Sequence, residues 1–166
     1  MKKISGNKLL VKALKEEGVD ILFGYPGACT IDISDEIYKQ DYTKVVLPRH
    51  EQALVHEADA YARTTGKVGV CLVTSGPGAT NLVTGVADAY LDGAPLVAIT
   101  GQVGTDRMQL TSHQYLDLTA MFEPITKRSK QIIRPDTVGE IVRLAFKHAE
   151  KGKPGATHID LPQNIA

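Results

Sequence analysis

The chain reads as an α/β protein with a doubly wound, mostly parallel six-stranded sheet and helices on both faces. Two observations carry that expectation. Short apolar, β-branched runs recur at 20–23, 44–47, 68–74, 95–100, 131–133 and 157–161, and helical patterns separate most of them. Those runs are nearly continuous in apolar character instead of alternating, as strands covered by helices on both faces must be.

The helical segments justify themselves in turn. The first carries Leu9, Leu10, Ala13 and Leu14 on one face and stops at Gly18, a natural C-terminal cap. A second, over 52–63, follows the extended stretch 44–48. The last carries Val138, Ile141, Ala145 and Ala149, opens on the capping-box pair Thr137 and Glu140, and ends at Gly152 with Pro154 beyond. The stretch 101–123 is polar and poor in periodicity, which predicts a functional loop with one short helix.

A length of 166 residues suits one domain over 1–166, and a domain of that size buries roughly 70% of its unfolded surface, so no staple is needed. With 19 basic and 19 acidic residues the net charge is +0, which argues against a nucleic-acid partner. Cys29 and Cys71 form no CxxC pair, and Cys71 sits in an apolar run as a small core residue, so a reducing, cytoplasmic setting is expected. Basic residues at Lys2 and Lys3 are followed by no apolar leader, and no apolar stretch approaches membrane-spanning length. The chain is expected to be soluble and unprocessed, without a membrane partner.

Glu51, in Arg49-His50-Glu51-Gln52, leaves the carboxyl end of an extended segment and begins the stripe Glu51, Val55, Ala58, Ala62 at i, i+4, i+7, i+11. Two readings are open for it. An acid in a first helical turn complements the helix dipole, and an acid at the carboxyl edge of an open sheet stands where ligands collect. Two glycine-rich turns follow strands, Gly24-Tyr25-Pro26-Gly27 and Ser75-Gly76-Pro77-Gly78-Ala79. Glycine there lets a backbone approach a ligand closely, although such turns also arise from geometry alone. Neither is GxGxxG or GxxxxGK[ST], which argues against a dinucleotide or P-loop site. No serine lies in GxSxG, and His50, His56 and His113 lack metal-ligand spacing. His56 and His148 are expected as partly exposed helix residues.

Taken together, Phe23-Gly24-Tyr25-Pro26-Gly27-Ala28, Arg49-His50-Glu51-Gln52, Ala58-Asp59-Ala60-Tyr61-Ala62-Arg63, Thr74-Ser75-Gly76-Pro77-Gly78-Ala79-Thr80-Asn81, Thr100-Gly101-Gln102-Val103 and Ile159-Asp160-Leu161-Pro162 resemble, in order, the pyrimidine-binding module of thiamine diphosphate enzymes, specifically acetolactate synthases. The resemblance implies that Glu51 bonds N1′ of the cofactor's aminopyrimidine and promotes the tautomer that activates C2. It also implies that Gly24, Tyr25, Pro26, Gly27 and Ala28, with Ser75, Gly76, Pro77, Gly78 and Asn81, shape the pocket around that ring. Gln114 matches a glutamine near the reacting centre that positions substrate. Pyruvate and a second 2-oxo acid are the implied substrates, in the biosynthesis of branched-chain amino acids, and a homodimer or homotetramer with a possible regulatory subunit is the implied assembly.

The same resemblance leaves the branch of the family open. His113 before Gln114 and the run from Met121 to Lys127 look like the flavin-independent branch, and Lys153 replaces an arginine that contacts flavin, whereas Gly24-Tyr25-Pro26-Gly27 and Gly101-Gln102 are closer to the FAD-containing branch. The family's Mg²⁺ and diphosphate are held by a Gly-Asp-Gly motif in a separate module, and no such motif occurs here. The chain is therefore expected to be an excised domain, inactive alone and dimeric, with apolar residues near Val55 and Leu82 seeking cover. Two rival readings are the small subunit of a two-chain decarboxylase acting on sulfopyruvate and a non-catalytic dimerisation or ligand-binding module that kept the fold.

Overall fold

The computed structural model describes residues 4–109 and 111–166; Met1, Lys2 and Lys3 of the N-terminal reading, and Leu110 of the irregular stretch, lie outside the described residues. The elements are α1 (Gly6–Glu16), β1 (Ile21–Gly24), α2 (Ile31–Tyr38), β2 (Lys44–Val46), α3 (Glu51–Thr65), β3 (Gly69–Val73), α4 (Pro77–Thr80), α5 (Val83–Asp92), β4 (Leu96–Gln102), α6 (Leu118–Phe122), β5 (Ser129–Gln131), α7 (Val138–Glu150) and β6 (Ala156–Pro162). The strands form one sheet in the order β2-β1-β3-β4-β6-β5, and every pair is parallel. The chain leaves β1 for β2 on one side and comes back to β3 on the other. This reversal makes the crevice beyond the carboxyl ends of β1 and β3 the place where an open sheet binds ligands.

Burial explains why the strands read as apolar throughout. In β3, Val70 and Leu72 face a layer that contains Leu10 and Leu14 of α1, Ile33 of α2 and Phe146 of α7. Cys71 and Val73 face the opposite layer, with Leu54 and Val55 of α3, Val86 of α5 and Phe122 of α6. Side chains alternate between faces, and both faces are covered. The Cys71 thiol is accordingly pushed up to about 12 by burial, so it is an inert core group.

Four expectations need correction. Thr137 does not cap α7, because a 3-10 turn over Pro135–Thr137 precedes the helix and the Thr137 hydroxyl donates back to the Arg134 carbonyl at 2.9 Å. The fifth strand lies at Ser129–Gln131 instead of 131–133. Its pairing with His158, Ile159 and Asp160 fixes that register, and Ile133 is 66% exposed where the chain leaves the sheet. The edge strand β2 is exposed along its length, despite its apolar sequence. Val55 and Leu82 are both fully buried within the protomer, so they offer no uncovered surface to a second copy. The large apolar side chains left exposed include Ile31, Tyr38, Val45 and Leu47, on and around α2 and β2.

Helices α3 and α5 pack unusually close. A Cβ on Gly85 would fall 2.3 Å from Val55 Cγ1, so only glycine permits the approach. At the other end of the sheet, β4, β5 and β6 share a buried polar cluster. Thr100 Oγ1 donates to Asp160 Oδ1 at 3.0 Å and lies 2.9 Å from His158 Nε2, Gln131 Nε2 donates to Asp160 Oδ2 at 2.7 Å, and Ser129 Oγ lies 2.8 Å from His158 Nδ1. Burial pushes the Asp160 carboxyl up to about 6 and the His158 imidazole down to about 3, each toward its neutral form.

Gly85→Ala is expected to destabilise the chain by about 1–3 kcal/mol through overpacking. Gly139→Ala in α7, where a Cβ meets nothing within 4 Å, should instead stabilise it by up to about 1 kcal/mol. Denaturant midpoints of the two variants should move in opposite directions.

Asp160 and His158 oppose each other in pH dependence. The raised Asp160 pKa contributes stability that is full below its unfolded value of 3.8 and is lost as pH rises through about 6. The depressed His158 pKa contributes stability that is full above 6.5 and is lost as pH falls through about 3. Between about 4 and 6 the two slopes, each up to about 1.4 kcal/mol per pH unit, cancel. Asp160→Asn is therefore expected to unmask a stability that climbs with pH across that window, measured by denaturation at a series of pH values.

Candidate active site

Glu51 is the first residue of α3, and His50 caps the helix by accepting the Gln52 N–H on Nδ1 at 3.1 Å. Below it the stripe Val55, Ala58 and Ala62 is buried to within 2%, which anchors the helix and leaves the half-buried Glu51 at its mouth. One carboxylate oxygen, Oε2, accepts the Asn81 side-chain amide at 3.0 Å. The other, Oε1, faces Gly78, where a Cβ would lie 3.5 Å away. An acid in the first turn does complement the helix dipole, worth about 0.3–1 kcal/mol. The same carboxylate is also held from 30 residues away, and its free oxygen faces a residue without a side chain.

The two glycine turns meet. Ser75 is fully buried, with Oγ 3.2 Å from Cys29 Sγ, and the Cys29 N–H donates to Thr74 Oγ1 at 3.3 Å. Gly27 lies flat on Thr74, since a Cβ there would fall 2.5 Å from Thr74 Cβ. Tyr25 extends the β1 to β3 pairing by donating its N–H to the Leu72 carbonyl at 3.0 Å, while Pro26 and Ala28 are exposed. The turn after β1 is thereby stitched to the turn after β3 across the sheet's point of reversal.

Gln114 joins the same place from the irregular stretch. Gly76 takes φ +59°, ψ −122°, a conformation that favours glycine, and a Cβ on it would fall 2.8 Å from Gln114 Cβ and 2.9 Å from the Gln114 carbonyl oxygen. Gln114 itself adopts φ +63°. The short helix expected between 101 and 123 is α6, capped by the Asp117 carboxylate on the Ala120 N–H at 3.0 Å, with 3-10 turns on either side.

The structure thus brings together Glu51, Gly78 and Asn81, sets Gly76 and Gln114 on the next turn of chain, and ties Gly27 to both through Thr74. A cavity of about 600 Å³ lies elsewhere, between α2 and β2. Gly24, Tyr25 and Pro26 line it with Ile37, Tyr42 and Val45, and Glu51 and Asn81 do not. Thr74 escaped sequence reasoning because its role is to receive Gly27 and the Cys29 N–H, contacts set by strand order. The Lys153 ammonium donates to the Leu91 carbonyl at 2.9 Å, at the C-terminal end of α5. His56 and His148 are half-buried on their helices, as expected. Among the described residues, no group of three or more His, Cys, Asp or Glu is placed to hold a metal ion, and no helix is long and apolar enough to cross a membrane.

Comparison with known proteins agrees with this geometry. Residues 4–121 match the family described as thiamine pyrophosphate enzyme, N-terminal TPP binding domain. The chain is 48% identical over 162 residues to the "Probable acetolactate synthase large subunit" of Methanocaldococcus jannaschii, covering 98% of this chain and 27% of that protein. It is 46% identical over 165 residues to the acetolactate synthase large subunit of Lactococcus lactis, and 43% identical over 165 residues to the acetolactate synthase isozyme 3 large subunit of Escherichia coli. Each of those alignments covers 99% of this chain and 29% of the relative, so the chain spans under a third of the length of these proteins. Both the matched family and the geometry at the carboxyl ends of β1 and β3 lead to one statement: the chain belongs to the thiamine pyrophosphate enzymes, as their N-terminal TPP binding domain.

Proposed function

We propose that this domain supplies the pyrimidine-binding half of an acetolactate synthase active site, in an enzyme that decarboxylates pyruvate and condenses the product with a second 2-oxo acid. The observation that carries the reading is the Glu51 carboxylate, held on Oε2 by Asn81 and open on Oε1 beside Gly78. Those residues fit an aminopyrimidine. A ring nitrogen needs a carboxyl partner able to share a proton, and a flat ring needs a wall without side chains.

In this reading Glu51 holds the proton that passes between its carboxyl group and N1′ of the ring, and Asn81 fixes which carboxyl oxygen does so. When bound, thiamine diphosphate supplies a C2 carbon that loses its proton readily and stabilises the charge left by decarboxylation. Gly78 keeps the approach to Glu51 clear, and Ser75, Gly76 and Pro77 form the turn that carries it. Gly27, laid on Thr74, continues the wall from the β1 side; the resemblance assigns Gly24, Tyr25, Pro26 and Ala28 to the same wall, although Gly24, Tyr25 and Pro26 line the separate cavity between α2 and β2. Gln114, set on Gly76, positions the 2-oxo acid. Magnesium, the diphosphate contacts and FAD enter only through the resemblance and are assigned to no residue of this chain. So are cytoplasmic location and a homodimeric or homotetrameric assembly with a regulatory subunit. The relatives' shared description as acetolactate synthase large subunits supports this reading over the two-chain decarboxylase.

In the complete enzyme, Glu51→Gln is expected to lower turnover on the order of 10²-fold or more, with little change in thermal stability, since the amide keeps the shape and cannot share the proton. The 166 residues alone serve as a control and should form no acetolactate. Exchange of the cofactor's C2 proton is the direct measurement. Unchanged exchange together with collapsed stability would mean that Glu51 serves only the structure of α3, as a complement to its dipole.

A further inference from the structure

Gln102 closes β4 and is fully buried, yet no part of the proposed chemistry uses it. Its side chain has one consistent orientation. The carbonyl Oε1 accepts the Val103 N–H at 3.0 Å, which turns the amide nitrogen toward two acceptors. One is the Leu116 backbone carbonyl at 2.9 Å, across 14 residues of chain. The other is Asp160 Oδ2, at a long 3.5 Å, and that oxygen is itself fixed by Gln131 at 2.7 Å. The buried cluster of β4, β5 and β6 therefore reaches out of the sheet and grips the irregular stretch two residues beyond Gln114.

That grip matters because Gln114 sits in a demanding conformation. A non-glycine residue at φ +63° lies in the sparsely populated left-handed region, and its backbone is pressed onto Gly76 with no room for a Cβ between them. Such a conformation persists only when its surroundings over-determine it. Within the stretch, Ser112 donates to the Arg107 carbonyl at 2.8 Å and the Tyr115 N–H to the Ser112 carbonyl at 3.2 Å, bonds that hold the turn to itself. The Gln102 amide is a bond that holds it to the sheet.

We propose that Gln102, oriented by the Val103 N–H on its Oε1, is a positioning residue that holds the turn over Ser112, Gln114 and Leu116, and so sets the Gln114 side chain over the Gly76 turn. The consequence for turnover rests on the substrate role given to Gln114 above; the mechanical part does not. The variant is Gln102→Met, which keeps the volume and removes the donor to Leu116 together with the acceptor of the Val103 N–H. In the complete enzyme, amide hydrogen exchange over 112–118 is expected to rise about tenfold or more, with the β4 and β6 amides unchanged. KM for pyruvate should rise about tenfold, while the dissociation constant of thiamine diphosphate stays the same. In a Gln114→Ala background, Gln102→Met should add nothing further to KM, since both changes remove one function.

Unchanged exchange over 112–118 would overturn the proposal outright. Raised exchange with additive effects of the two substitutions would also overturn it, by showing that Gln102 does not act through Gln114. Raised exchange in an enzyme whose wild type fails to turn over pyruvate would leave the grip standing and refute the assigned reaction instead. If Gln102→Met does not fold, the wild-type enzyme is read directly: a crystal structure is expected to place Gln102 Nε2 within about 3.2 Å of the Leu116 carbonyl with Gln114 at positive φ, and a structure in which Gln114 keeps that conformation without the Gln102 bond would overturn the proposal.

Discussion

The close approach of α3 and α5 is the constraint on which the site depends. Val55 touches the backbone at Gly85, and four residues earlier on each side, at the start of α3 and in the turn between α4 and α5, Glu51 meets Asn81. Both contacts share the same four-residue offset, so the close approach of α3 to α5 permitted by a missing Cβ continues into the turn before α5, where Asn81 reaches Glu51 at 3.0 Å. A wider spacing at Gly85 would pull the amide away from the carboxylate without touching either residue. The core packing and the chemistry of Glu51 are thus one geometric problem.

The sheet order solves the other half. Because the connections reverse between β1 and β3, their carboxyl ends open a crevice that the turns after both strands can enter. Gly27 on Thr74, and Gly76 under Gln114, show how glycine is used at these ends: each lets another segment lie directly on the backbone. What results is a wall and one positioned acid, without a cluster placed to hold a metal ion among the described residues. The chain spans under a third of the length of its relatives.

Much of this was legible in the sequence, for identifiable reasons. Continuous apolar runs separated by helical periodicity predict a covered parallel sheet, and β3 bears this out by burying both of its faces. Glu51 and the two glycine turns stood out because local spacing places an acid and flexible backbone after strands. The failures share a cause as well. Thr137 and Glu140 have the spacing of a capping box, but the chain enters α7 through a 3-10 turn around Pro135, which the motif does not register. Ser129–Gln131 form a strand because their backbone pairs with His158–Asp160, 29 residues away, and the side chains of Ser129 and Gln131 bond those same partners. Val55 and Leu82 were expected at a surface, and the approach of α3 to α5 that buries them is visible only in three dimensions. Local chemistry is written in the sequence, whereas pairings across the fold follow from topology.

The central claim is that Glu51 meets the pyrimidine ring with one carboxyl oxygen while Asn81 holds the other. A crystal structure of the complete enzyme with thiamine diphosphate bound tests it most directly. The account requires a Glu51 oxygen at about 2.6–3.2 Å from ring nitrogen N1′, with the Asn81 bond retained and the ring lying against Gly78. A ring bound elsewhere, with Glu51 contacting Asn81 alone, would contradict it.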